Sequence, residues 1–343
     1  MARIFRYATV AIGIWLGFVS WVASLSAQEA FYKGKTIRII VGFSPGGGYD
    51  TYSRAIGRHI GKHIPGSPTV IVDNMPGASS IISANYLYKL AKPDGLTIAN
   101  FHGNQLVGQI LGRQGIEFDA RKFEWLGVPV QDNTVCAFTK ASGITSVEKW
   151  QASKAPVKLG GVAPGDTTYD SARILKEATD LPIQLVSGYK GTAEIRLAAE
   201  SGEIAGGCWS WDSIRATWRQ AIESGDALIV LQVLPRAHRD FPNVPLAVNL
   251  AKNETARLLI QSGVQEPSAI ARPYALSPGT PKERVQLLRK AFMDTFKDPE
   301  FLADAKKSRL EIDPVSGEEL ERIVAGLFKL DPAVVSKLKE ILK

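Results

Sequence analysis

The sequence predicts an α/β fold of two domains, each with a mainly parallel, doubly wound sheet and flanking helices. Between residues 36 and 101, β-rich runs alternate with glycine- or proline-rich loops and helical stretches. A second series of the same kind occupies residues 157–233. Strands that alternate with helices in this way are typical of parallel sheets whose crossover helices cover both faces.

The elements of the first series follow one another with short breaks. Residues 36–43 form a β-rich run, and residues 50–63 carry apolar side chains near helical spacing. The Pro65–Pro68 segment then ends the helix. The further elements predicted here are a strand at 69–72, a helix at 79–90 and a strand at 96–101.

The middle of the chain predicts a second domain that is inserted into the first. A proline-rich stretch at 235–245 leads out of it, and the C-terminal part is helical, with a capping box at Ser316–Glu319. We therefore expect domain 1 to comprise residues 28–129 and 236–343, and domain 2 to comprise 130–235. The elements predicted in domain 2 are strands at 157–162, 183–186 and 228–233 and helices at 171–179 and 193–201.

The composition is that of a folded globular protein. Of the 343 residues, 45% are hydrophobic and 22% are charged, and 41 Lys and Arg against 34 Asp and Glu give a net charge of +7. This balance excludes a disordered chain, a collagen-like chain and a polytopic membrane protein. The basic residues are scattered without a run of five, so we expect no nucleic-acid partner.

The N-terminus has the three regions of a secretory signal peptide. Two arginines within the first six residues precede an uncharged, mostly apolar stretch at 8–23, and small residues follow, Ser26 and Ala27 among them. The apolar stretch is short for a membrane span of roughly 20 residues. We therefore favour a signal peptide at 1–27, cleaved after one of these two small residues, over an uncleaved anchor. The mature protein is then expected to be periplasmic.

Cysteine and histidine are scarce. Export makes a disulfide possible, and we favour a bridge between Cys136 and Cys208 over two buried free thiols. His59 and His63 are four residues apart on one predicted helix, but the sequence shows no third metal ligand beside them. We expect no metal and no cofactor.

The segment Gly42–Gly46 matches the Gly-x-Ser-x-Gly pattern that presents a serine nucleophile between a strand and a helix. In that motif the residue after the serine donates its backbone N–H to the oxyanion, and Pro45 has no N–H. A secreted hydrolase that uses Ser44 is therefore an alternative that we rank below a binding protein. We expect no enzymatic activity.

Two glycine-rich loops predict an anion site. Residues 44–50 and 76–80 each follow a strand and precede a helix, where unpaired backbone N–H groups lie beside the positive end of the helix. Simple loop closure is the alternative for either loop alone, but two such loops on neighbouring strands favour an anion such as a carboxylate or phosphate. Asp50 fits this site if it caps the helix and pairs with Arg54.

Six motifs follow one another along the mature chain: Phe43–Arg54, Val72–Ala78, Pro93–Gly95, Gly188–Gly191, Gly202–Ile204 and Pro242–Pro245. Together they resemble the solute-binding receptors of tripartite tricarboxylate transporters, the Bug or TctC-like family. The resemblance implies a two-lobed periplasmic binding protein that closes on its ligand by a hinge. It also implies a small carboxylate as ligand and the membrane permease subunits as partners, and we expect a monomer. A protein that presents its ligand to a signalling receptor stays an open alternative.

The resemblance implies ligand-binding positions on both domains. Trp209 and Trp211 depart from the family pattern and line either the pocket or the core. Asp166 and Asp212, if they line the cleft, would repel a second carboxylate or attract an amine. Domain 1 contributes Ser44, Pro45, Gly46, Gly47, Gly48, Asp50, Pro76, Gly77, Ala78 and Ser79, the last where the family commonly has glycine. Domain 2 contributes Gly165, Asp166, Thr167, Thr168, Tyr189 and Lys190.

Overall fold

A computed structural model describes residues 31–329 and 332–342, which form two α/β lobes, each built on one sheet. The predicted signal peptide at 1–27 lies outside the described residues. The two-lobed α/β fold class is confirmed. Each sheet, however, mixes parallel and antiparallel strands, whereas the sequence predicts mainly parallel sheets.

The strands agree with the predicted ones to within about two residues wherever the sequence shows a long β-branched run. They are β1 (Thr36–Val41), β2 (Thr69–Asn74), β3 (Thr97–Asn100), β4 (Glu124–Val128), β5 (Thr134–Thr139), β6 (Val157–Gly161), β7 (Ile183–Ser187), β8 (Gly206–Ser210), β9 (Ala227–Gln232), β10 (Tyr274–Leu276) and β11 (Val315–Ser316).

The predicted helices are also present, and the helix predicted from residue 171 begins at Thr167 because the Asp166 side chain caps it. The helices are α1 (Gly48–Ile60), α2 (Ile81–Lys89), α3 (Asn104–Ile110), α4 (Val147–Gln151), α5 (Thr167–Thr179), α6 (Thr192–Glu200), α7 (Trp211–Thr217), α8 (Arg219–Ser224), α9 (Glu254–Ile260), α10 (Lys282–Thr295), α11 (Pro299–Lys307), α12 (Gly317–Leu327) and α13 (Pro332–Ile341).

The first lobe contains the sheet with strand order β11-β4-β10-β3-β1-β2. β1 is parallel to β2 and β3, while β10 runs antiparallel to β3 and β4. Tyr52, Ile56 and Ile60 are buried at helical spacing on α1, so this helix turns one apolar face to the core. The antiparallel strands belong to segments where the chain leaves or re-enters the lobe, which local periodicity does not reveal.

The second lobe contains the sheet with strand order β7-β6-β8-β5-β9. β6 is parallel to β7 and β8, and β5 is antiparallel to β8 and β9. Cys136 on β5 lies directly opposite Cys208 on β8, and their sulfur atoms are 2.01 Å apart. The favoured disulfide is therefore confirmed, and it joins two fully buried strands.

Two chain passages connect the two sheets, one between β4 and β5 and the other between β9 and β10. Asp132 lies on the first passage and Arg272 at the end of the second, and their buried side chains form an ion pair. α9 and α13 follow the predicted domain boundary at residue 235, yet both pack against α5 of the second lobe. The exact division into domains stays a prediction. In the described ranges, no helix combines the length and the hydropathy needed to cross a bilayer.

Candidate functional site

Four loops meet where the two lobes face each other. Loop 1 (residues 44–50) follows β1 and loop 2 (76–80) follows β2 in the first lobe. Loop 3 (165–168) follows β6 and loop 4 (189–191) follows β7 in the second lobe. Since parallel strands end at the same edge of a sheet, each lobe presents its two loops side by side. The structure thus brings together the four segments that the sequence singles out.

Loop 1 is held in shape by the buried carboxylate of Asp50. Its Oδ2 accepts hydrogen bonds from the Gly46 N–H and from Arg54 Nε, both at 2.9 Å, and its Oδ1 accepts one from the Asn74 side chain. Burial by itself would raise the pKa of Asp50, but these donors lower it. The predicted pair with Arg54 is confirmed. The predicted helix cap is wrong, because Asp50 bonds back to Gly46 and so uses that N–H inside the loop.

The N-termini of two helices face each other between loop 1 and loop 4. α1 begins at Gly48 after Gly47, and α6 begins at Thr192 after Gly191. The first N–H groups of a helix have no acceptor within the helix, and they carry its partial positive charge. A Cβ added to Gly47 would lie 3.1 Å from Thr192 Oγ1, so the backbones of the two lobes approach closely here. Gly47 has an ordinary φ of −86°, so its backbone conformation does not call for glycine, and a larger side chain would instead meet Thr192.

Loop 2 holds three consecutive non-glycine residues in the left-handed region of backbone space. The φ angles of Ala78, Ser79 and Ser80 are 46°, 52° and 72°. Each costs on the order of 1–2 kcal/mol unless its surroundings fix it. Ser80 Oγ accepts the N–H of His102 at 2.8 Å, and the Gln105 amide donates to the Ser79 carbonyl at 2.8 Å. Backbone strain that neighbours hold in place is common at binding sites.

Gln105 and His102 connect loop 2 to loop 3 across the lobe boundary. Gln105 Nε2 also donates to the Gly165 carbonyl at 3.2 Å, and His102 Nε2 lies 2.9 Å from Thr167 Oγ1. Burial and the positive charges of two arginines lower the pKa of His102 to about 3. The ring is therefore neutral around pH 7 and acts as a polar link between the lobes.

Two buried carboxyl groups shape loop 3. Asp166 Oδ1 accepts the N–H of Thr168 at 2.9 Å, and Asp170 Oδ1 accepts the N–H of Gly165 at 2.9 Å. The Thr168 hydroxyl also donates to Asp166, so it is used within the loop. Burial raises the pKa of both carboxyl groups to about 6. Asp170 Oδ2 lies 3.6 Å from Arg113 Nη2, which is an ion pair between the lobes.

A buried arginine lies at the base of the boundary. Arg272 Nε donates to Asp132 Oδ1 at 2.5 Å, and its Nη2 donates to the hydroxyls of Ser210 and Ser213 at 2.8 and 2.7 Å. The guanidinium lies 4.7 Å from the ring centre of Tyr52, at cation–π distance. Its Nη1 has no hydrogen-bond partner within residues 31–329 and 332–342. Arg272 thereby connects both chain passages to the second lobe.

Residues 209–212 are buried. Trp209 stacks on Trp218 with ring centres 5.6 Å apart, and Trp211 is buried as well. Of the two alternatives, core packing is the one that the structure shows. Asp212 is fully buried, and burial raises its pKa to about 7.

The other predicted residues divide between the boundary and the surface. The Ser44 N–H donates to the Lys190 carbonyl at 3.4 Å, so loops 1 and 4 are in contact. Pro45 is exposed, and the Tyr189 hydroxyl donates to Glu203 at 2.7 Å within its own lobe. Of the predicted residues, Ser44, Gly47, Gly48, Asp50, Ser79, Gly165, Asp166 and Thr168 are buried, Pro76, Gly77, Thr167 and Tyr189 are half-buried, and Pro45, Gly46, Ala78 and Lys190 are exposed.

Ser44 and the paired histidines were the other chemical candidates. Ser44 Oγ has no hydrogen-bond partner in the part of the chain that the structure describes, so the contact with a base that activates a serine is missing there. His59, Asp298 and Glu300 offer ligand atoms within 4.8 Å of one another, a grouping that the sequence did not reveal. The ammonium of Lys62 pairs with both of these carboxylates and supplies the cation at this place.

Sequence reasoning missed several boundary residues. His102 lies two residues after the end of β3, so the argument that found loops 1 and 2 applies to it as well. Arg272 is a lone charge in an otherwise apolar run at 270–276, which is a signal for a buried, paired cation. No local pattern pairs it with a residue 140 positions away. The residues missed are His102, Gln105, Arg113, Asp132, Asp170 and Arg272.

Comparisons with known proteins agree with this architecture. A family model described as "Tripartite tricarboxylate transporter family receptor" matches residues 58–339. The periplasmic binding protein BugD is 20% identical with a TM-score of 0.69, over 90% of this chain and 98% of that one. A search of curated proteins found no match.

Two solved structures from Rhodopseudomonas palustris contain a ligand. MatC with bound malate is 17% identical with a TM-score of 0.69, over 90% of this chain and 99% of that one. A second protein, with adipate, is 19% identical with a TM-score of 0.71, over 90% and 98% of the two chains. At these identities the structures establish a shared fold.

Proposed function

The chain belongs to the tripartite tricarboxylate transporter receptor family, and we propose that it captures a small carboxylate between its lobes and delivers it to the membrane subunits of such a transporter. The function consists of binding and release, without a chemical step on the ligand. Loop 1 precedes the residues matched by the family model, so its part in binding rests on the geometry of the lobe boundary.

The observation that carries the proposal is the convergence of the N-termini of α1 and α6. The N–H groups of Gly47, Gly48, Thr192 and Ala193 lie beside positive helix ends that belong to opposite lobes. A carboxylate between them receives hydrogen bonds from both lobes at once. Because such a ligand binds the closed arrangement better than an open one, it shifts the protein toward closure.

The ligands of two neighbours support a carboxylate. MatC holds malate, and the second R. palustris protein holds adipate. Malate is short and hydroxylated, whereas adipate has four methylene groups, so the two share little besides a pair of carboxylates. A site made of backbone N–H groups suits both, because it recognises the charge and leaves the rest of the ligand to other residues.

We further propose how the protein works in the cell. Export through the signal peptide at 1–27 places it in the periplasm, where it acts as a monomer. The two passages beside Asp132 and Arg272 serve as the hinge, and the bonds of Gln105 and Arg113 to the second lobe hold the closed form. Capture of the permease by the liganded protein from solubilised membranes, rather than of a signalling receptor, tests this partner.

A thermal-shift panel tests the binding itself. The chain from Gln28 onward is heated with mono-, di- and tricarboxylates, aromatic acids and amino acids. A ligand at 100 times its Kd stabilises the folded state by about 2.7 kcal/mol, which raises the Tm by several degrees. We expect one class of acids to do so. A folded protein that no carboxylate stabilises contradicts the proposal.

Two glycine variants test whether the ligand that raises the Tm binds at loop 1. Gly47→Val puts a branched side chain against Thr192 and should remove the ligand-induced shift. Gly326→Ala is the control, because the described structure has nothing within 4 Å of an added Cβ on α12. An unchanged shift in Gly47→Val removes loop 1 from the site.

A further inference from the structure

Two surface hollows share a wall between α7 and the end of α11. The α11 hollow, of about 360 Å³, is lined by α11 and by residues that follow it, and Arg215 of α7 completes it. The α8 hollow, of about 380 Å³, lies beside α7 and α8, and Arg215 and Arg309 line both hollows. α7 and α8 connect two strands of the second sheet, whereas α11 and the residues after it lead into β11 of the first. The α11 hollow therefore combines segments that belong to different sheets.

The charged residues that line the α11 hollow are all cationic. They are Arg215, Lys306 and Arg309, and no carboxylate lines this hollow in the part of the chain that the structure describes. Lys306 is exposed and forms no ion pair within residues 31–329 and 332–342. An anion that enters the hollow can therefore bind the Lys306 ammonium without displacing a carboxylate of the protein.

The two arginines are fixed by carboxylates that lie outside the α11 hollow. Arg309 pairs with Glu223 of α8. Arg215 Nη2 lies 3.5 Å from Glu311 Oε2, and Arg215 Nη1 lies 3.6 Å from Asp240 Oδ2. These ion pairs join the segment after α11 to α7 and α8, so they hold the walls of the hollow together. The arginines thus shape the hollow and stay engaged by the protein.

One side of the α11 hollow is apolar. Leu302 of α11 is 42% exposed, while Phe301 and Ala305 of the same helix are buried. Leu310 and Ile312 continue this wall. A partner side chain that covers Leu302 gains about 25 cal/mol for each Å² of apolar surface removed from water. The hollow therefore fits an acidic group that stands next to an apolar one.

Arg309 occupies a backbone position where helices commonly have glycine. Its φ is 53°, in the left-handed region. The Arg309 N–H donates to the Lys306 carbonyl at 3.1 Å and the Leu310 N–H to the Ala305 carbonyl at 2.8 Å, which is the Schellman pattern at the end of a helix. A residue other than glycine costs on the order of 1–2 kcal/mol there. Glycine would remove that cost, but it would also remove the guanidinium that lines both hollows.

The shape of the α11 hollow favours a protein segment over a lipid surface. A concave site of about 360 Å³ with an apolar wall accommodates a few side chains. A layer of anionic headgroups instead attracts basic residues that are clustered on an open face. The partner that the proposed function supplies, the membrane permease, is a protein.

We propose that the α11 hollow is the docking site for an acidic segment of the membrane permease, with a carboxylate of that segment at Lys306 and a neighbouring apolar side chain on Leu302. This inference rests on the proposed function, which supplies the permease as partner. Because the ion pairs of Arg215 and Arg309 join segments of different sheets, the hollow takes this shape in the closed arrangement. A segment that binds it therefore favours closure, and the permease receives the liganded protein in preference to the empty one.

Titration of the full mature chain with detergent-solubilised permease tests this docking site. The chain is saturated with the acid that binds best, and the permease is the membrane complex that it captures, identified by mass spectrometry. Lys306→Glu places like charges together in the interface, so the Kd for the permease should rise at least about 10-fold. Lys307→Glu is the control and should leave this Kd nearly unchanged, because Lys307 is the next residue on α11 and is exposed but does not line the hollow. Both variants should keep the wild-type Kd for the acid in calorimetry.

The outcomes separate the two proposals. If no acid binds the wild type, the proposed function fails; if acids bind but no permease is captured, its delivery step fails and the docking site with it. If Lys306→Glu weakens permease binding no more than Lys307→Glu does, the docking site is overturned while the proposed function stands. Binding to phosphatidylglycerol vesicles without permease that Lys306→Glu abolishes would make the occupant a membrane and overturn the docking site too. Lys306 is exposed, so its variant is expected to fold, and an unchanged Tm without ligand verifies this.

Discussion

Gly48→Ala is expected to hinder the closing of the two lobes. Gly48 begins α1 and faces α7 of the second lobe. An added Cβ would lie 1.8 Å from Ser213 Oγ and 2.6 Å from Ser213 Cβ, whereas ordinary contact starts at 3.4 Å. It would also lie 3.2 Å from Arg272 Nη1. The hydrogen bonds of Asp50 fix the start of α1 to loop 1 and β2, so the overlap with Ser213 can be relieved only if the lobes separate.

The size of the effect follows from the cost of overpacking. One extra methyl group in a tight contact costs about 1–3 kcal/mol. If the contact exists only in the closed form, that cost is subtracted from the binding free energy, and the Kd for the best acid rises roughly 5- to 150-fold. Calorimetric titration measures the Kd, and small-angle scattering with saturating ligand measures whether the variant closes.

Two further variants test this reasoning. Gly326→Ala, also a helical glycine, should keep the wild-type Kd and gain about 0.5–1 kcal/mol of stability. Adding Ser213→Ala to Gly48→Ala removes the 1.8 Å contact and should restore part of the affinity. Wild-type affinity in Gly48→Ala would refute the reasoning. A loss of Tm in the ligand-free protein with no change in Kd would refute it too, because the contact would then persist when the lobes are apart.

Three other predictions concern stability. The pKa of Asp170 is raised in the folded state, so folding favours the protonated carboxyl group, and the free energy of unfolding falls as the pH rises from about 4 to about 6. Asp170→Asn should remove this loss. In urea titrations we expect this variant to be more stable than the wild type by about 2–3 kcal/mol at pH 8 and equally stable at pH 4. Arg272→Met should cost about 3–5 kcal/mol by leaving Asp132 buried and unpaired, and Asp132→Leu in addition should recover part of that loss. Replacing both Cys136 and Cys208 by Ala should cost about 2–4 kcal/mol, because the bridge closes a separation of 72 residues, and the same urea titration measures it.

In the first lobe, local sequence patterns predicted some elements and not others. The run at 36–43 and the helical spacing of Tyr52, Ile56 and Ile60 depend on neighbouring residues, and both elements formed as expected. β10 and β11 are short strands that enter the sheet from the far end of the chain. Their pairing depends on how the chain returns from the second lobe, and no periodicity within three residues encodes that.

Local sequence patterns likewise predicted one part of the candidate site and not the rest. Loops 1 and 2 were predictable because glycine and proline after a strand mark the place where a helix N-terminus opens toward a ligand. Arg272 was not, because its partner Asp132 lies 140 positions away and their pairing depends on how the chain returns from the second lobe. The sequence suggested that Asp50 caps the helix, but its carboxylate accepts the N–H of Gly46 instead. Which acceptor a side chain selects depends on distances that the sequence does not specify.

A crystal structure of the mature chain with the acid that binds best will show whether both lobes hold the carboxylate. We expect one carboxylate within about 3 Å of the N–H groups at Gly47 or Gly48 and at Thr192 or Ala193, with both lobes in contact with the ligand. A ligand that contacts one lobe only would contradict this proposal.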